Sequence, residues 1–192
     1  MIWTLPNILT LARIVAAPLV ALMVALGGPA WAGPAFLLFL VAALTDYLDG
    51  WLARRLDQRS ALGTMLDPIA DKVMVVLVLA ALMTHEHNRT FFFLGPALAI
   101  LMREVLISGL REYLGDVKLP VTRIAKMKTA VQLVALGGLL LGSALAAGGA
   151  PPGVERLGTG ILWLAAGLTV LSGWEYFRQA MPHLGGDREA GP

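Results

Sequence analysis

The chain has 192 residues, of which 57% are hydrophobic and 15% charged, with a formal net charge of +2 and a mean hydropathy of +0.73. That balance is too apolar for an ordinary soluble domain of this size and reads as an integral membrane protein. Cysteine is absent, which excludes a disulfide framework, a thiolate metal site and a thiol nucleophile.

A bilayer core is about 30 Å thick and a helix rises about 1.5 Å per residue, so one span takes about 20 mainly apolar residues. Six stretches meet that need: Ile8 to Leu26, Pro34 to Ala53, Pro68 to Thr84, Phe91 to Leu114, Ile124 to Ala147 and Leu157 to Phe177. The expected fold is therefore all-α, with six transmembrane helices. The runs are long and lack the period-2 alternation of a lipid-facing barrel. The first stretch contains Arg13 and no clear small-residue cleavage site follows it, so it reads as mature structure rather than a leader. The connections GGPAWAGP, HEHNRT and GGAPPGVERLG are short and rich in Gly and Pro, which predicts one helical membrane domain over residues 1–183. The last stretch, 184–192, has too little apolar surface to order itself.

Basic residues alternate between the connections. Arg54, Arg55 and Arg59 follow the second stretch, and Lys118, Arg123, Lys126 and Lys128 follow the fourth, whereas the intervening connections hold only Arg89 and Arg156. The positive-inside rule then puts both termini in the cytoplasm. Anionic lipid headgroups or phosphorylated substrates suit that basic side, and nothing in the pattern points to a nucleic acid. His85, Glu86 and His87 resemble a metal-binding run but fall on the opposite side, where a solvated turn is expected. Most of the tryptophans lie near span ends, as an interfacial belt does.

The densest polar segment is DYLDGWLARRLDQRSALGTMLDPIAD, from Asp46 to Asp71. Asp46 and Asp49 are three residues apart and Asp67 and Asp71 four apart, so each pair lines one helix face. Gly50 and Ala53 remove bulk, Gly63 permits a bend, and Pro68 suits a first helical position with Asp67 as its cap. Four converging carboxylates at a membrane edge repel one another unless a cation sits among them. Oxygen-only ligands favour a hard divalent ion, Mg²⁺ before Mn²⁺ or Ca²⁺, and four carboxylates are enough for two ions. Taken singly, each residue also has a plainer reading: Asp67 as a cap, Asp46 paired with Arg54.

This segment matches the pattern D-x2-D-G-x2-A-R-x8-G-x3-D-x3-D and so resembles the CDP-alcohol phosphotransferases, membrane enzymes of phospholipid synthesis. The resemblance implies a six-helix membrane fold, a homodimer and a dimetal site open to the cytoplasm. There an acceptor hydroxyl displaces CMP from a CDP-linked lipid or alcohol. It also implies that Asp46, Asp49, Asp67 and Asp71 are metal ligands, that Asp71 is the general base, and that Gly50, Ala53 and Arg54 contact the cytidine diphosphate.

The opening LPNILTLARIVAAPL and the runs MREVLISGLREYLG and RIAKMKTAVQLVAL resemble the branch of that family that makes phosphatidylglycerophosphate from CDP-diacylglycerol and glycerol 3-phosphate. In that branch Asn7, Thr10 and Arg13 fall near the nucleotide, and their spacing of three allows one helix face to present them. The alternative is that Asn7 or Thr10 caps the helix and Arg13 snorkels to headgroups. Arg103, Arg111, Lys126 and Lys128 make a candidate cradle for the acceptor phosphate. Against that, Arg103 can pair with Glu104 or Glu112, and the lysines can simply obey the positive-inside rule. Lys72 either tunes Asp71 or snorkels. Two other functions remain open: the same chemistry on another acceptor, such as an inositol phosphate or a phosphatidyl lipid, and a divalent-cation carrier built on the aspartates.

Overall fold

The computed structural model describes residues 4–55, 61–115 and 123–184. All regular structure among them is helical: α1 (Leu5–Leu26), α2 (Pro29–Arg55), α3 (Ala61–Leu82), a short 3-10 turn (Glu86–Asn88), α4 (Phe91–Leu114), α5 (Arg123–Ala147) and α6 (Gly153–Leu184). The expected fold class stands. Five of the helices, all but α3, have the length and composition to cross a membrane. Helix α3 carries Asp67, Asp71 and Lys72 in its first half, and it is sheltered by contacts with α1, α5 and α4.

The boundaries differ from expectation in three informative places. Helix α2 begins at Pro29, because Gly27 and Gly28 adopt φ of 66° and 80° and reverse the chain in two residues. Only glycine takes such angles without steric cost, and Pro29 then suits the first helical turn. Helix α3 begins at Ala61, so Pro68 and Gly63 lie inside it and Asp67 is not its cap. Proline removes one N–H donor from a helix without ending it where neighbouring helices support the backbone, as also happens here at Pro18 and Pro96. Helix α6 has 32 residues and runs to Leu184, about three turns in excess of a minimal span at its two ends together, and residues 185–192 of the expected tail lie outside the described residues.

The core is a continuous apolar seam that includes Val20 of α1, Phe39 of α2, Val78 and Leu79 of α3, Ile100 of α4, Leu136 of α5 and Leu162 of α6. Large apolar side chains also face outward, among them Leu22, Val41, Val105 and Trp174. Such a surface would drive aggregation in water and is satisfied by lipid. The protein is an integral membrane protein. Helices α5 and α6 touch at their backbones: a Cβ on Gly142 would lie 2.6 Å from the Glu155 nitrogen, and one on Gly158 would lie 2.8 Å from the Leu139 nitrogen. Small residues let membrane helices approach this closely.

Because consecutive helices run in alternating directions, the first halves of α1, α3 and α5 and the last halves of α2, α4 and α6 share one end of the bundle. Most of the polar residues singled out above lie at that end. The opposite end is closed by Gly27 and Gly28, by the turn after α3 and by the five residues between α5 and α6.

Candidate active site

Helix α1 presents Asn7, Thr10 and Arg13 on one face, and all three are buried, with exposures of 1%, 1% and 4%. The helix starts at Leu5 with no side-chain cap from Thr4. Asn7 and Thr10 are thus inside the helix rather than capping it, and Arg13 turns inward rather than to headgroups. The inward turn has an electrostatic cause. Arg13 Nη1 donates to Asp46 Oδ1 of α2 and, at 3.0 Å, to Asp71 Oδ1 of α3. Thr10 Oγ1 donates to Asp67 Oδ1 at 2.9 Å.

Three of the four motif aspartates are therefore tied to one face of α1. The carboxylates of Asp46 and Asp71 are 35% and 38% exposed, so the cluster is open on one side while its guanidinium is enclosed. Asp67 is exposed, one turn before Asp71 on the same face of α3. Asp49 stands one turn beyond Asp46 in α2. The side chains of Asp49, Ala53 and Arg54, and the surroundings of Gly50, lie outside the described residues, as does the side chain of Lys126.

A single guanidinium nitrogen reaching both Asp46 and Asp71 means that carboxylates from two helices meet at one cation-sized point. Among the described residues the ligand atoms there are hydroxyl and carboxylate oxygens, a chemistry that suits a hard divalent ion such as Mg²⁺. Among the described residues no three acidic or imidazole side chains close on a single ion position. Asp46 and Asp71 would supply two carboxylates to such an ion in place of the Arg13 contact, with the Asp49 side chain outside the described residues.

A second polar cluster is built by α3, α4, α5 and α6. Glu104 Oε1 accepts from Lys128 Nζ and, at 3.2 Å, from Arg103 Nη1, with all three side chains at most 12% exposed. Arg103 Nη2 also reaches Ser172 Oγ at 3.4 Å. Its stem lies against Gly173, where a Cβ would come within 3.0 Å of Arg103 Cγ. Deeper in the bundle, Gln132 Nε2 donates to Thr169 Oγ1 at 2.9 Å. Arg111 is exposed and stacks its guanidinium over the Tyr176 ring, 5.3 Å from the centroid. Charges this buried persist in a membrane protein only when paired or facing a polar site.

Two of these members, Ser172 and Gln132, carry no motif in the sequence, and Lys72 takes neither of its two expected roles. Lys72 neither snorkels nor meets Asp71: its Nζ donates to Ser108 Oγ at 2.6 Å. Ser172 and Gln132 interrupt apolar helices, and a lone polar residue in such a context is the signal that would have flagged them. On the far side, the expected solvated turn is more structured than composition suggests. His85 Nε2 lies 2.7 Å from the Val24 carbonyl, Asn88 is buried and donates to the Leu82 carbonyl at 2.9 Å, and His87 sits 3.1 Å from Glu155.

Comparison with known proteins gives the same answer from the whole sequence. The family model described as CDP-alcohol phosphatidyltransferase matches residues 3–171. A protein of Cereibacter sphaeroides named CDP-diacylglycerol–glycerol-3-phosphate 3-phosphatidyltransferase is 42% identical, the alignment covering 95% of this chain and 97% of the relative. Proteins of the same name from Rickettsia typhi and Shigella flexneri are 41% and 36% identical, over 91% and 95% of this chain and 95% and 97% of theirs. Nearly every helix described above falls within the matched region, and the chain belongs to the CDP-alcohol phosphatidyltransferase family.

Proposed function

We propose that the protein is a phosphatidylglycerophosphate synthase, which transfers the phosphatidyl group of CDP-diacylglycerol to sn-glycerol 3-phosphate and releases CMP. The observation that carries the chemistry is the junction of Arg13 with Asp46 and Asp71, which brings a base, candidate ion ligands and a phosphate-binding cation to one point. The choice of substrates is supported by the name shared by the relatives and by the cationic cluster around Glu104. An apolar groove of about 870 Å³ between α4 and α6, with Arg103 in its wall, suits an acyl-bearing donor. Membership in an enzyme family sets aside the cation-carrier reading.

In this reading Asp46, Asp49, Asp67 and Asp71 would hold two divalent ions, Mg²⁺ by donor chemistry, which would supply positive charge to the pyrophosphate and the departing CMP. Asp71 takes the proton of the acceptor hydroxyl as its oxygen bonds to the phosphatidyl phosphorus. The bond from that phosphorus to the CMP oxygen breaks, and its electron pair leaves with CMP. Arg13 offers a planar fork to phosphate oxygens, and Thr10 holds Asp67 in place. Asn7, Gly50, Ala53 and Arg54 contact the nucleotide, with Gly50 and Ala53 leaving room for it beside α2. Arg103, Arg111, Lys126 and Lys128 supply the positive surroundings of the acceptor phosphate.

The same proposal places the site at the cytoplasmic face of a bacterial inner membrane, with both termini cytoplasmic and the chain a homodimer. It rests there on the distribution of Lys and Arg and on the family resemblance. The test is purified protein in detergent with CDP-diacylglycerol, Mg²⁺ and separate acceptors: glycerol 3-phosphate, glycerol, inositol 3-phosphate and a phosphatidyl lipid. CMP release and a lipid product are expected with glycerol 3-phosphate. A product with another acceptor and none with glycerol 3-phosphate would refute the assignment.

A further inference from the structure

Lys72 follows Asp71 directly in α3, yet the two side chains serve different neighbours. Consecutive helical residues diverge by about 100°. Asp71 meets Arg13 of α1, whereas Lys72 Nζ reaches Ser108 Oγ of α4, and that hydroxyl donates to the Glu104 carbonyl at 2.7 Å. The ammonium is half-buried, and among the described residues it has a neutral hydroxyl as its hydrogen-bond partner and no carboxylate within ion-pair range. Its electrostatic neighbours are Glu104, Arg111 and Arg103, and Glu104 is already shared by Arg103 and Lys128. Among the described residues one carboxylate thus stands against several cations in a partly desolvated space, an excess that an anion relieves.

We propose that Lys72 binds the phosphate of the acceptor, so that two consecutive residues of α3 read its two ends: Asp71 the attacking hydroxyl, Lys72 the phosphate. This rests on the acceptor being glycerol 3-phosphate. An ammonium on a flexible four-carbon stem can exchange the Ser108 hydroxyl for a phosphate oxygen without moving the helix. The arrangement makes Lys72 a specificity-determining residue. An acceptor with a hydroxyl but no phosphate engages Asp71 alone and is held by neither Lys72 nor the cations beside it.

The test is steady-state kinetics of Lys72→Met and Lys72→Arg beside the wild type, varying acceptor and CDP-diacylglycerol separately. Loss of one charge-assisted contact raises the acceptor KM of Lys72→Met roughly tenfold to a hundredfold. The KM for CDP-diacylglycerol stays within about twofold, since binding there is untouched. The preference for glycerol 3-phosphate over glycerol, as a ratio of kcat/KM, falls by the same factor, and Lys72→Arg restores most of it. An unchanged acceptor KM with a displaced pH profile of kcat would overturn the proposal, because Lys72 would then act on Asp71. A loss of both KM values together, unrescued by arginine, would overturn it in favour of a packing role. Wild type that ignores glycerol 3-phosphate would refute the function proposed above and leave these outcomes easily told apart from that one.

Discussion

Replacing Glu104 by glutamine should cost more than any surface substitution in this protein, because its carboxylate is the shared partner of two enclosed cations. The side chains of Glu104 and Lys128 are each 7% exposed and that of Arg103 is 12% exposed, so water and salt screen them little. Breaking such a pair typically costs about 3–5 kcal/mol, mostly from the charge left behind. Glutamine keeps one acceptor oxygen, which places Glu104→Gln near 3 kcal/mol. For a chain of this length that corresponds to a fall in melting temperature of roughly 6–12 °C. Thermal unfolding in detergent, followed by tryptophan fluorescence, measures it. The companion variant Glu104→Gln/Lys128→Met removes a cation with the carboxylate and should be less damaged than the sum of its single changes, by at least about 1.5 kcal/mol. If Glu104→Gln melts within about 2 °C of wild type, or the two changes simply add, the charges are not coupled as described.

Three further outcomes follow from the same geometry. Asp71→Asn should lower CMP release by about a thousandfold while the protein still binds CDP-diacylglycerol, measured by calorimetry; activity within tenfold of wild type would remove Asp71 as the base. Chelation with EDTA should abolish turnover, and Mg²⁺ or Mn²⁺ should restore it in a titration of initial rate; turnover that persists in chelator counts against ion-dependent transfer. Gly142→Ala should destabilise the protein by about 1–3 kcal/mol, since the new Cβ would meet the Glu155 backbone at 2.6 Å. Gly167→Ala in α6, where a Cβ meets nothing within 4 Å, is the control in the same melting assay.

How much could be read beforehand depended on the range of the interaction. The helices were legible because apolar length is a local property, and the aspartate motif was legible because spacing on a helix sets which side chains share a face. Helix starts were less so. Pro68 reads as a beginning when its own turn is considered alone, but α3 extends seven residues earlier, supported by packing that local sequence does not encode. Arg13 was legible as a polar residue on a useful face, while its contacts span 33 and 58 positions of sequence. The same holds for Lys72 with Ser108 and for Lys128 with Glu104, 36 and 24 positions apart. Pairings between helices are properties of the assembled bundle, and several residue choices compete for each charge until it forms.

The end of the bundle remote from the aspartates is tied shut by the glycine reversal after α1, by the His85 contact to the Val24 carbonyl and by the Gly142 approach of α5 to α6. Two of these three ties are backbone features, so that end is fixed by where glycine stands, whereas the aspartate end is joined by charge.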